Sequence, residues 1–172
     1  MQVLIPAERI RERIHEMASE IALVYHGQPV TIVGVLTGCL IFMSDLIRQL
    51  DLHIRIALLQ ASSYRGAVTT PGQLLIWDDL LPDLTGKHVL LMDDILDTGR
   101  TLGKLVQHLH ERGAASVRVA VLLRKEGRQV VPLEPEFCGF SIPDLFVVGY
   151  GLDFNDEFRH LPYIGVYEPE II

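Results

Sequence analysis

Three carboxylates and a hydroxyl-rich turn stand together in one short run of this chain, Val89-Leu90-Leu91-Met92-Asp93-Asp94-Ile95-Leu96-Asp97-Thr98-Gly99-Arg100-Thr101-Leu102. An apolar strand leads into Asp93 and Asp94, then Asp97, then a turn that opens a helix. A strand end presents such an acid pair to a diol or to a magnesium ion. Thr98, Gly99, Arg100 and Thr101 offer hydroxyls and free backbone N–H groups to a phosphate at the positive end of the next helix. That order of groups suits a phosphorylated sugar. No Lys follows a Gly here, so the turn is not a Walker A loop. An acidic cap for the helix would need a single carboxylate, whereas the run carries a pair and a third.

The elements that must position these groups are readable from periodicity. Ile10, Ile14, Met17, Ile21 and Val24 recur at three- and four-residue steps after Pro6, which predicts an amphipathic helix ending near Gly27. Thr31 to Leu36 reads as a buried strand, Thr37-Gly38-Cys39 as a tight turn, Leu40 to Leu50 as a helix and Ile54 to Ala61 as a strand. Lys87 to Met92 reads as a strand, Leu102 to Arg112 as a helix stopped by Gly113, and Val117 to Leu123 as a strand. This alternation predicts an α/β fold, a parallel sheet with helices on both faces and ligands at the carboxyl ends of its strands. Ser62 to Gly72 is polar and aperiodic and reads as a mobile loop able to act as a lid. After Arg128 the pattern is broken by Pro132, Pro135, Pro143 and Pro162, with Phe146 to Tyr150 as a strand. One domain over 1–172 is expected, with a core of about 1–128 and a small C-terminal hood of about 129–172.

Composition narrows the partners. A formal net charge of −7 argues against general attraction to nucleic acid. Hydrophobic residues make up 49% of the chain, which implies apolar surface buried between subunits, in a homodimer or homotetramer. Cys39 and Cys138 lie far apart without metal-ligand spacing, as in a reduced cytoplasmic protein. No apolar run is long enough for a membrane span, and no signal-type segment stands near Glu8.

The acidic run resembles the 5-phosphoribosyl-1-diphosphate binding motif of type I phosphoribosyltransferases. The segment Ile142-Pro143-Asp144-Leu145-Phe146-Val147-Val148-Gly149-Tyr150-Gly151-Leu152-Asp153-Phe154-Asn155-Asp156-Glu157-Phe158-Arg159 resembles the purine-binding hood of the hypoxanthine-guanine phosphoribosyltransferases. Leu122-Leu123-Arg124-Lys125, Ser62-Ser63-Tyr64 and Leu36-Thr37-Gly38 extend the likeness over most of the chain.

The resemblance implies transfer of phosphoribose from 5-phosphoribosyl-1-diphosphate to hypoxanthine or guanine, with Mg2+. Asp93 and Asp94 would contact the ribose hydroxyls and metal, and Thr98, Gly99, Arg100 and Thr101 the 5′-phosphate. Asp97 would handle the proton of the purine's imidazole ring, with Ser63 and Tyr64 on a loop that closes over the reaction. Lys125 would donate to the 6-oxo group, Phe146 stack on the ring and Val147 offer backbone groups to its edge. Asp153, counted with the purine-binding groups, would help place a second magnesium near the diphosphate, and Thr37, Gly38 and Arg159 would hold diphosphate. Relatives commonly carry Lys or Arg where this chain has Thr37, and Glu where it has Asp93. A regulatory protein on the same fold, sensing the diphosphate sugar and binding nucleic acid, is the alternative reading.

Overall fold

A computed structural model describes residues 1–63 and 74–168 of the chain. The strands are Gln2–Ile5 (β1), Val30–Leu36 (β2), Ile54–Ser63 (β3), Leu74–Trp77 (β4), His88–Leu96 (β5), Ser116–Lys125 (β6), Phe137–Ile142 (β7), Val147–Val148 (β8) and Ile164–Val166 (β9). The helices are Ala7–Val24 (α1), Leu40–Ile47 (α2) and Arg100–Glu111 (α3).

Six strands form the central sheet in the order β4-β3-β2-β5-β6-β7. All neighbours are parallel except β3 and β4. Parallel pairing sends the carboxyl ends of β2, β5 and β6 to one edge. The register Gly34↔Met92 sets the turn after β2 beside Asp93, and Leu96↔Arg124 sets the end of β6 beside the acidic run. Residues distant in sequence therefore meet at one rim.

The strand β2, apolar apart from Thr31, is buried along nearly its whole length because helices cover both faces of the sheet. In β5, Leu90 and Met92 pack with Ile10, Ile14, Met17 and Ile21 of α1 and Phe42, Met43 and Leu46 of α2. Val89 and Leu91 point the other way, to Leu102, Leu105 and Leu109 of α3. Full burial of each such side chain stabilises the fold by about 1.5–3 kcal/mol.

Several expectations shift. The strand β5 runs on through Asp93 and Asp94 to Leu96, so the acid pair lies within its last residues and not after it. Ser62 and Ser63 belong to β3, where they pair with Leu75 and Leu74, and not to a loop. The helix α2 stops at Ile47, and the chain continues in tighter turns, with Gln49 N–H donating to Leu46 O at 3.0 Å.

The division at about residue 128 also moves. Beyond it, β7 adds to the edge of the main sheet, whereas β1, from the other end of the chain, joins the hood sheet β1-β9-β8. Short strands completed by distant partners carry little local signal. Among the described residues, no helix is long and apolar enough to cross a membrane.

Candidate active site

At the end of β5, Asp93 and Asp94 are half-buried and adjacent, and Asp93 Oδ1 accepts the Asp94 N–H at 3.0 Å. Burial, and then the neighbouring Asp94 charge, hold the Asp93 carboxyl well above the usual carboxylate range. Burial also raises Asp94, with the Arg159 charge opposing it. Two negative groups in a poorly solvated place favour an added cation or hydroxyl donors.

The turn that follows is built for an anion. Gly99 takes a left-handed φ of 80° and caps α3. Thr98 O accepts the N–H groups of Val130 at 3.0 Å and Val131 at 3.2 Å, which fastens the turn from outside. The Gly103 N–H donates to Gly99 O at 2.8 Å, so the amides of Thr101 and Leu102 precede that first helical bond and face the helix entrance. Arg100 is exposed, its N–H 3.4 Å from Thr98 Oγ1.

Across the rim, Gly38 packs against the Asp94 carboxylate so closely that a β-carbon there would overlap it. The Leu36–Thr37 peptide is cis, and Thr37 is exposed. The hood reaches this turn through Gly151, whose missing β-carbon leaves room for the Gly38 carbonyl. Arg159 Nη1 donates to Gly151 O at 2.7 Å, and its Nη2 lies 2.8 Å from Asp153 Oδ1. A cleft of about 360 Å³ unites Gly38, Asp93, Asp94, Asp97, Thr98, Gly99, Thr101, Asp153 and Arg159. Thr37, Arg100, Lys125, Phe146 and Val147 lie outside its lining.

Beside the cleft, Lys125 ends β6 with its Nζ 3.2 Å from Asp144 Oδ1. Arg128 Nε lies 3.0 Å from Asp97 Oδ1 and 3.6 Å from Asp144 Oδ2. Phe146 is 51% exposed, which sets it apart from a core aromatic. Its ring stands edge-on to Phe154 at 5.8 Å, and Phe154 stacks on Tyr167 at 4.5 Å. Val147 is buried in β8 opposite Val166. Arg128, Asp144 and Tyr167 carry no sequence signal of a site role beyond the charges that follow the Lys125 strand. Ser63 closes β3 opposite Leu74, and Tyr64 lies outside the described residues.

Residues 6–155 match the phosphoribosyl transferase domain. The chain is 40% identical over 170 residues to the hypoxanthine-guanine phosphoribosyltransferase of Streptococcus pneumoniae, covering 99% of this chain and 94% of that protein. The chain belongs to the phosphoribosyltransferase family. The Staphylococcus aureus hypoxanthine-guanine phosphoribosyltransferase is 39% identical over 99% of this chain and 95% of its own length. A crystal structure of the Bacillus anthracis hypoxanthine-guanine phosphoribosyltransferase superposes with a TM-score of 0.92 at 34% identity, covering 98% of this chain and 99% of that one.

Among the described residues of this phosphoribosyltransferase, no group of three or more His, Cys, Asp and Glu side chains is placed to hold a metal, and Asp153 lies against Arg159. Its two oxygens are engaged by Arg159 at 2.8 Å and by the Asp156 N–H at 2.9 Å. Magnesium usually takes only one or two protein carboxylates and completes its shell with water and substrate oxygens. The half-buried Asp93–Asp94 pair, both members raised by desolvation, fits that donor set.

Proposed function

We propose that this phosphoribosyltransferase moves phosphoribose from 5-phosphoribosyl-1-diphosphate to hypoxanthine or guanine, giving IMP or GMP and diphosphate. The observation that carries this is the single cleft joining the acid pair, the entrance of α3 and the Gly38 turn with Arg159. Those groups match the diol, the 5′-phosphate and the diphosphate of one substrate.

In this reading Asp93 and Asp94 take the ribose hydroxyls, and Thr98, Gly99, Arg100 and Thr101 bind the 5′-phosphate through hydroxyls and amides. Thr37 and Gly38 offer backbone groups to the diphosphate, with the planar fork of Arg159 beside them. Asp153 aims that fork through its 2.8 Å contact with Arg159 and would help place a second magnesium near the diphosphate. Lys125 donates to the 6-oxo group, Phe146 supplies a face for stacking, and Val147 offers backbone groups to the base edge. The purine's imidazole nitrogen forms its bond to ribose C1′ as the C1′–diphosphate bond breaks, and the ring proton passes to the Asp97 carboxylate. Asp93 and Asp94 would hold Mg2+ with the sugar diphosphate, and the ion would supply positive charge to the leaving group.

The acidic balance favours small-molecule substrates over nucleic acid. Both cysteines are free, which suits a reducing cytoplasm. Exposed Leu23, Ile56, Trp77 and Leu80 support a homodimer or homotetramer, which light scattering on the purified protein measures.

Diphosphate release with Mg2+ and 5-phosphoribosyl-1-diphosphate, assayed over hypoxanthine, guanine, xanthine and adenine, tests the reading. Release driven by hypoxanthine or guanine is expected. No release with either base, or a salt-dependent shift of RNA or DNA without nucleotide synthesis, overturns it.

A further inference from the structure

The two groups assigned to the base, Asp97 and Lys125, are each gripped by a side chain from elsewhere in the fold. Pairing of Lys125 with Ile142 across β6 and β7, closed by the Glu126 N–H donating to Ile142 O at 2.9 Å, brings Asp144 beside Lys125. Arg128 leaves the turn after β6 and spans from Asp144, at 3.6 Å, to Asp97, at 3.0 Å. With the 3.2 Å Lys125–Asp144 contact, four charges alternate in the order Asp97, Arg128, Asp144, Lys125.

We propose that Arg128 and Asp144 are positioning residues for phosphoribosyl transfer. Arg128 holds one oxygen of Asp97 and leaves the other for the purine's ring proton. Asp144 aims the Lys125 ammonium at the base carbonyl. This inference rests on the base-site roles given above to Asp97 and Lys125.

The distribution of burial supports such a brace. The Lys125 side chain is only 13% exposed, whereas Asp97, Arg128 and Asp144 are 38%, 45% and 50% exposed. Ion pairs so open to water add little to folding stability. They can still fix the direction of a carboxylate and an ammonium, and a site gains from groups held within a fraction of an ångström before the substrate arrives. The link also spans the rim. It ties the turn after β5 to the segment after β7, directly ahead of Phe146.

Steady-state kinetics on the full chain test the brace, with Arg128→Gln, Arg128→Lys, Asp144→Asn and the Asp97→Asn/Arg128→Gln pair. Arg128→Gln lowers kcat by about 10- to 100-fold, the range for losing a bond to a charged group, and leaves KM for 5-phosphoribosyl-1-diphosphate within about twofold. Arg128→Lys recovers part of that loss. Asp144→Asn acts mainly on KM for hypoxanthine, raising it by about 10-fold. In the Asp97→Asn background, Arg128→Gln changes kcat by less than about twofold, because its target is gone.

Wild-type kinetics in both Arg128→Gln and Asp144→Asn overturn the proposal, as does a full additive loss in the Asp97→Asn background. A fall in melting midpoint that accounts for the loss, with Arg128→Lys no better than Arg128→Gln, also overturns it. A wild-type protein that forms no nucleotide from hypoxanthine or guanine rejects the functional reading itself. An active wild type matched by its variants rejects only the brace.

Discussion

Gly38 and Asp94 meet so closely that a β-carbon on Gly38 would overlap the Asp94 carboxylate. The contact locks the turn after β2 onto the last residues of β5. The place proposed for diphosphate and the place proposed for ribose are thus set by one van der Waals contact. Gly38→Ala must push the carboxylate aside or tilt the turn. We expect a stability loss of about 1–3 kcal/mol, typical of overpacking, together with a rise in KM for 5-phosphoribosyl-1-diphosphate. Thermal unfolding and substrate titration measure both, and an alanine variant with wild-type values contradicts the contact.

The acid pair sets a pH dependence of stability. The carboxyl of Asp93 titrates well above the usual carboxylate range, so the folded chain keeps its proton where the unfolded chain, at about 3.9, has released it. Stability then falls as pH rises from the unfolded value through the folded one, and the penalty is complete above the folded value. Asp93→Asn removes the charge and keeps an oxygen to accept the Asp94 N–H. Its melting midpoint should exceed that of the wild type at pH 7, by roughly 2–4 °C for each kcal/mol relieved, and the gap should close towards about pH 4. Activity should fall in the same variant. A midpoint at pH 7 no higher than the wild type rules out the electrostatic penalty.

Lys125→Gln separates base recognition from sugar binding. Its proposed contact is to the 6-oxo group alone, so use of hypoxanthine and guanine should weaken by about 1.5–3 kcal/mol in kcat/KM, as for a hydrogen bond to a charged group. KM for 5-phosphoribosyl-1-diphosphate should hardly change. Equal losses for both substrates would place Lys125 elsewhere in the reaction.

Thr37 marks the turn as lacking a cationic side chain. If backbone groups alone hold diphosphate there, Thr37→Lys should tighten product inhibition by diphosphate and slow its release. Thr37 is exposed, so added salt should weaken the gain through screening over about 10 Å. Inhibition constants that match those of the wild type would show that this side chain faces away from the leaving group.

Much of the site was legible because its groups follow one another along the chain. The run from Asp93 to Thr101 needs only β5, a turn and α3, and the cleft gathers most of it. Gly38 and Arg159 reach the same cleft only through parallel pairing and the hood, and for them the resemblance supplied what spacing could not. The N-terminal strand escaped notice because Gln2–Ile5 is four residues long and pairs with Ile164–Val166 at the far end of the chain. Arg128 and Asp144 escaped for a different reason. Each reads as a solvated charge in a polar turn, and only the β6–β7 register brings them to Lys125 and Asp97. The aromatic group Phe146, Phe154 and Tyr167 is likewise assembled from separate short segments with no shared period.

Exchange of diphosphate for a 6-oxopurine at ribose C1′ is read most directly from the mass of the products. The protein, Mg2+ and 5-phosphoribosyl-1-diphosphate are mixed with equal amounts of hypoxanthine, guanine and adenine. IMP, GMP or both should accumulate, each matched by one diphosphate, while AMP stays absent. AMP as the main product, or breakdown of the sugar diphosphate with no 6-oxopurine nucleotide formed, would contradict the assignment.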